Sequence, residues 1–190
     1  SKAEAELEVR SHTELNSCIF RPSVIVGDSV TGQTSAFNVL YIPAKFILKG
    51  LLRALPASPT APFDVVPVDY VADAIVALSR HPNRTSDAYH LTVGVGREST
   101  PLEILEQLLQ AFEKYRIKGR SLLHVPPLLS PELLSGLLAR ITAAYTQLEK
   151  WERLICRRLP VLKHILPFVP YMTDNPRFDT GSTQRDLAGI

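Results

Sequence analysis

Few side chains in this sequence are spaced for chemistry by their own pattern. Asp69 and Asp73 stand at i,i+4, the spacing at which two carboxylates on one helix face can divide acid and base work. Both fall in the first turn of a helix predicted from Val71, Ala74, Ile75 and Leu78. Capping by Asp69 and attraction to the helix dipole therefore account for them better than catalysis. The five histidines lack zinc spacing, so no metal site is expected. His90 lies in a predicted strand beside Tyr89 and reads as a hydrogen-bonded structural residue. Cys18 and Cys156 are far apart and read as buried, reduced thiols, which favours a cytoplasmic location.

The elements that must position any site are organised around Cys18 to Ser29. Short apolar runs flank Pro22, and Gly27-Asp28-Ser29 closes the stretch. Such a pattern suits a strand buried on both faces of a parallel sheet. Pro22 has no N–H, so regular pairing should weaken there, leaving the amides of Ser23, Val24 and Ile25 to face something other than a neighbouring strand. Ligands in open α/β sheets bind at strand carboxyl ends, which makes this a candidate ligand edge. The alternative is a core strand with a bend.

Composition sets the frame. The chain has 190 residues, 45% of them hydrophobic and 21% charged, with a formal charge of +2, so nothing points to nucleic acid. No apolar leader segment and no run long enough to span a bilayer is present; the most apolar region, 122–138, is cut by Pro126, Pro127 and Pro131. Helix is expected over residues 1–15, since Ala, Glu, Leu and Lys dominate and Glu6 and Arg10 stand at i,i+4. A second helix is predicted over 35–55, kinked or broken at Pro43. Strands are expected at 63–68 and 88–93. Thr100-Pro101-Leu102-Glu103 reads as a capping box opening a helix. Leu134, Leu137, Ile141, Ala144, Leu148, Trp151 and Ile155 keep heptad spacing, predicting an amphipathic helix over 131–158 that ends in basic residues. That end could meet an anionic membrane surface or be a solvated face.

Arg21-Pro22-Ser23-Val24-Ile25-Val26-Gly27-Asp28-Ser29 resembles the post-catalytic strand of extended short-chain dehydrogenase/reductases, in particular the fatty acyl-CoA reductase and thioester reductase branch. The similarity continues through Phe37-Asn38-Val39-Leu40-Tyr41, Asp64 to Ala74 and Tyr89-His90-Leu91-Thr92, and returns at Arg177-Phe178-Asp179. It implies the C-terminal part of a Rossmann-type doubly wound α/β sheet plus a helical substrate-binding cap. Residues 1–119 would be Rossmann domain with substrate-side insertions, and 120–190 cap or closing segment. The resemblance aligns Lys2 with the lysine of a Tyr-x-x-x-Lys motif, whose tyrosine would lie three residues before Ser1. Four residues make about one helical turn, so ammonium and phenol share a face and the lysine can lower the phenol pKa while holding a ribose.

The same resemblance places Pro22, Ser23, Val24 and Ile25 against a nicotinamide, and Phe37, Asn38 and Tyr41 on the substrate side. Lys45, Lys49 and Arg53 form a cationic stripe suited to the phosphates of coenzyme A or a carrier-protein arm, or else a solvated face. The expected parent reduces an acyl thioester with NADPH, or NADH, to aldehyde or alcohol. The glycine-rich nucleotide loop and the tyrosine are not in the sequence, so this chain alone is expected to be inactive and to need the rest of the domain. Two alternatives stand: a reductase or epimerase of sugar nucleotides or sterols, and a non-catalytic module that recruits a partner through the heptad helix.

Overall fold

The computed structural model describes residues 1–36, 40–48, 55–114, 127–129, 133 and 175–188. In chain order the elements begin with α1 (Lys2–Ser11), β1 (Ile19–Pro22), β2 (Val24–Val26), α2 (Tyr41–Leu48) and β3 (Leu55–Pro56). They continue with β4 (Val65–Pro67), α3 (Val68–Arg80), β5 (Ala88–Leu91), α4 (Pro101–Lys114), β6 (Leu128–Leu129) and α5 (Gly181–Leu187). The contacts define two compact units that interleave along the chain: residues 1–35, 64–98 and 177–190 form unit one, and 36–63 and 99–176 form unit two.

Unit one is parallel α/β. β1 pairs with β5, Ile19 opposite Ala88 through Pro22 opposite Leu91, and β2 pairs with β4, Val24 opposite Val65 through Val26 opposite Pro67. The apolar run around Pro22 is therefore two short strands with different partners. The expectation for the amides is corrected here: Ser23 N–H donates to the Leu91 carbonyl at 3.2 Å, and the following three residues lie in the β4 ladder. A proline that cannot donate marks the change of partner instead of a loss of pairing.

The core of this unit joins Val66, Val71, Ala74, Leu78, Tyr89 and Leu91. α3 buries the predicted Val71, Ala74 and Leu78, but Ile75 is 36% exposed, so the buried stripe is narrower than the sequence implies. Burying Leu78 completely contributes about 1.5–3 kcal/mol. The residue at the N-cap of α3 is Pro67, and Asp69 stands in the first turn, where its charge suits the helix dipole. Its carboxylate also takes the Ser29 amide at 2.9 Å and the Ser29 hydroxyl at 2.5 Å, fastening the loop after β2.

In unit two the capping box forms as read: Thr100 N–H donates to Glu103 Oε2 at 2.7 Å and Glu103 N–H to Thr100 Oγ1 at 3.2 Å. It opens α4, whose Leu105 and Leu109 are buried. The 35–55 helix is shorter than predicted. α2 starts at Tyr41, and Pro43 sits in its first turn, where a missing N–H costs nothing; Leu55 is in β3, paired with Leu128. Phe63 N–H donates to the Ser99 carbonyl at 2.7 Å, an antiparallel bridge within unit two. Apart from residue 133, the predicted helix 131–158, its basic end and Cys156 lie outside the described residues.

Candidate functional site

Helix α1 presents the site's first side chain. Ser1 caps it, accepting the Glu4 amide at 3.3 Å, and Lys2 opens the first turn with its side chain exposed. Glu6 follows one turn later on the same face. Two guanidiniums hold Glu6: Arg10 Nε donates to Oε1 at 3.1 Å, and Arg21 donates Nε to Oε2 at 3.1 Å and Nη2 to Oε1. The hydrogen bond from Arg21 keeps the Glu6 carboxyl below its ordinary range. Arg21 lies in β1 directly before Pro22, so the Lys2–Glu6 face of α1 is fastened to the strand that carries the candidate nicotinamide edge.

The third guanidinium nitrogen, Arg21 Nη1, lies 3.1 Å from His90 Nε2 on β5. A guanidinium offers only donors, so this contact requires Nε2 to accept and the imidazole to be neutral. Burial, and then the charge of Arg21, push the His90 pKa down, in agreement with that state. The imidazole stacks on Phe178 with ring centroids 5.0 Å apart. His90 is thus a hydrogen-bonded residue between a strand and the Arg177-Phe178-Asp179 segment.

Past Pro22 a second carboxylate gathers the strand ends. Asp64 accepts the Ser23 hydroxyl at 2.6 Å and the Val93 amide at 3.3 Å to each oxygen, bridging the β1–β2 junction and the residue two beyond β5. Burial and the nearby Asp64 charge raise the Tyr70 phenol pKa. Tyr70 also lines a cleft of about 630 Å³ with Val66, Pro67, Thr92, Arg97 and Leu187. Deeper in, Asp186 of α5 accepts the Tyr89 hydroxyl at 2.5 Å, the Thr85 amide at 2.8 Å and the Thr85 hydroxyl at 2.9 Å. Burial and this hydrogen bond push the Tyr89 pKa to about 12.

Of the residues singled out from sequence, Lys2, Pro22, Ser23, Val24 and Ile25 all fall in unit one. Tyr41, half-buried at the start of α2, is in unit two, and Phe37 and Asn38 lie outside the described residues. Among the described residues no His, Cys, Asp and Glu side chains gather as a metal site. Asp64 and Arg21 are the site residues that spacing alone does not single out: each lies inside a quoted motif, and their partners are remote in sequence. Glu6 was visible only through its i,i+4 pairing with Arg10, and its contact with Arg21 was not.

The parallel pairs β1–β5 and β2–β4, with α3 and α5 packed beside them, have the make-up of part of a Rossmann-like α/β fold. Residues 1–75 match the family described as Male sterility protein, an NAD-binding domain. The chain is 30% identical to human fatty acyl-CoA reductase 2, over 60% of this chain and 24% of that protein. Among solved structures it is similar to the terminal R domain of the myxalamid PKS-NRPS biosynthetic pathway. The TM-score is 0.63 at 23% identity, covering 98% of this chain and 42% of that one. The resemblance read from the sequence is thus found again by family, relative and fold. The chain spans about a quarter of the curated relative and less than half of the R domain it matches.

Proposed function

We propose that this chain is the C-terminal part of an NAD(P)H-dependent reductase of acyl thioesters, carrying the nicotinamide and ribose end of the cofactor site. The observation that carries the reading is the Glu6–Arg21 contact, which fastens the helix that begins at Lys2 to β1, one residue before Pro22. The similarity to a fatty acyl-CoA reductase supports the substrate class.

The residues present fit the nicotinamide end of a dinucleotide. β1 and β2 meet at Pro22 and Ser23, where the Ser23 amide is held by Leu91 and its hydroxyl by Asp64, so the junction that would face the nicotinamide is fixed in place. A dinucleotide held there would supply the hydride that the thioester carbonyl carbon accepts. Lys2 holds the ribose hydroxyls and lowers the pKa of the tyrosine expected three residues before Ser1, which protonates the carbonyl oxygen. The resulting hemithioacetal loses its thiol, leaving an aldehyde; a second hydride and proton would give the alcohol. Ser23, whose hydroxyl donates to Asp64, fixes the strand junction that would face the nicotinamide. Tyr41, with Phe37 and Asn38, contributes to the substrate side.

In unit two, α2 and α4 wall an apolar pocket lined by Leu40, Ala44, Ile47, Phe63, Leu105 and Leu108, which we assign to the acyl chain. Its volume is about 30 Å³, on the scale of one solvent molecule, so admitting a chain requires the walls to part. The lipid substrate and reduced Cys18 agree with action in the cytoplasm, and contact with a membrane through the basic end of 131–158 belongs to the same proposal.

Fluorescence titration with NADPH tests the reading. The full-length protein should bind saturably, and residues 1–190 alone, without the pyrophosphate loop, should bind at least about tenfold more weakly, a loss of 1.4 kcal/mol or more. Equal affinity for the two would overturn it.

A further inference from the structure

Lys2 has no described contact that aims it, and a lysine on an exposed first turn has four rotatable bonds to restrict. What is fixed is the helix beneath it. Glu6, one turn on, is gripped from two sides of one guanidinium, and this two-pronged geometry sets orientation as well as distance. The guanidinium is itself held by His90 Nε2 at its third nitrogen, and the His90 ring is backed by Phe178. The series Glu6, Arg21, His90 and Phe178 therefore links α1, β1, β5 and the segment before α5, all inside unit one. Arg21 also precedes Pro22 by one residue, so the grip on the helix and the start of the candidate nicotinamide edge are the same piece of backbone.

We propose that Glu6 and Arg21 are positioning residues that set the roll of α1, and with it the direction of Lys2, relative to the strand junction at Pro22 to Ile25, with His90 and Phe178 holding the guanidinium in its plane. This rests on the reading of Lys2 given above. A simple stabilising ion pair would tolerate any cation at position 21. A positioning role requires the planar fork, because lysine is a point charge that keeps the attraction and loses the orientation. Arg10, the other partner of Glu6, lies on α1 itself and cannot report the position of the helix relative to the strand.

The test uses the full-length enzyme with Lys2→Met, Glu6→Gln and Arg21→Lys, reading NADPH affinity by fluorescence, the pH profile of kcat, and the melting temperature. An ammonium moved away from the phenol lowers its pKa less. The alkaline limb of kcat, where the proton donor is lost, should therefore move to higher pH in both Glu6→Gln and Arg21→Lys. NADPH should bind several-fold more weakly as the ribose contact loosens, and kcat should fall about tenfold, less than the ~100-fold loss expected for Lys2→Met. Full activity in Lys2→Met would remove the reading of Lys2 and this proposal with it. A damaged Lys2→Met beside Glu6→Gln and Arg21→Lys variants that lose only melting temperature, with the alkaline limb and NADPH affinity unchanged, would overturn the positioning role alone.

Discussion

In unit one, carboxylates reach across long stretches of chain: Glu6 to Arg21 over 15 residues, Ser23 to Asp64 over 41, and Thr85 to Asp186 over 101. In unit two the side chains that line the pocket are apolar, with Ile47, Phe63 and Leu105 each under 5% exposed. The difference matters because the two materials constrain differently. Hydrogen-bonded carboxylates specify angles and distances, and fail when one partner goes. Apolar packing is non-directional and tolerates rearrangement at modest cost. A region that must hold reacting groups in register suits the first kind, and a region that must accept chains of differing shape suits the second.

The comparison can be broken most severely at Phe63, which is 2% exposed. Phe63→Ala should destabilise the protein by about 3–5 kcal/mol in denaturant melts, the loss expected for a buried ring. Asp186→Ala should cost about 2–3 kcal/mol, because the Tyr89 hydroxyl and the Thr85 amide and hydroxyl lose their acceptor together. Its signature should differ: the Tyr89 phenol, freed of the carboxylate, should titrate below about 12 in an ultraviolet pH scan. Ser23→Ala removes one donor to Asp64 and should cost about 1 kcal/mol, with a larger relative effect on NADPH affinity than Phe63→Ala.

The smallest effect is a pH dependence. His90 has its pKa lowered in the folded state, so the unfolded chain binds more protons as pH falls. Stability from this group is fully present above its unfolded value near 6.5 and is lost as pH drops toward the lower folded value. Arg21 on β1, Glu6 on α1 and Asp179 in the closing segment face it; Arg21 pushes the pKa down, and the two carboxylates oppose that push. His90→Gln should flatten the melting temperature between pH 7 and 5 relative to the parent.

Local chemistry was legible in the sequence where it is complete within a few residues. Thr100 and Glu103 satisfy each other across one turn, so their pattern alone places the start of α4. Pro22 was visible as an interruption, but its meaning depends on β4 and β5, which supply partners on either side of it from 41 and 69 residues away in the register. Asp69 stands in the first turn of α3 as its pattern implied, but its bond to Ser29 was not legible, because the loop after β2 folds back onto that turn. Pro43 suggested a kink in a long helix, whereas the described helix begins just before it. Asp64, central to the strand junction, has partners 41 and 29 residues away and no periodic signal to reveal them. The resemblance supplied what periodicity could not: residues 1–75, where the family match lies, contain Lys2, Arg21, Pro22 and Asp64 together.

The central claim is that Lys2 serves hydride transfer to an acyl thioester. The most direct measurement follows NADPH absorbance and aldehyde or alcohol formation when the full-length protein is given a long-chain acyl-CoA, for the parent and for Lys2→Met. The account predicts thioester-dependent NADPH oxidation with one aldehyde formed per hydride, or one alcohol per two, reduced about 100-fold or more in Lys2→Met. Oxidation unaffected by Lys2→Met, or none with any acyl thioester, would contradict it.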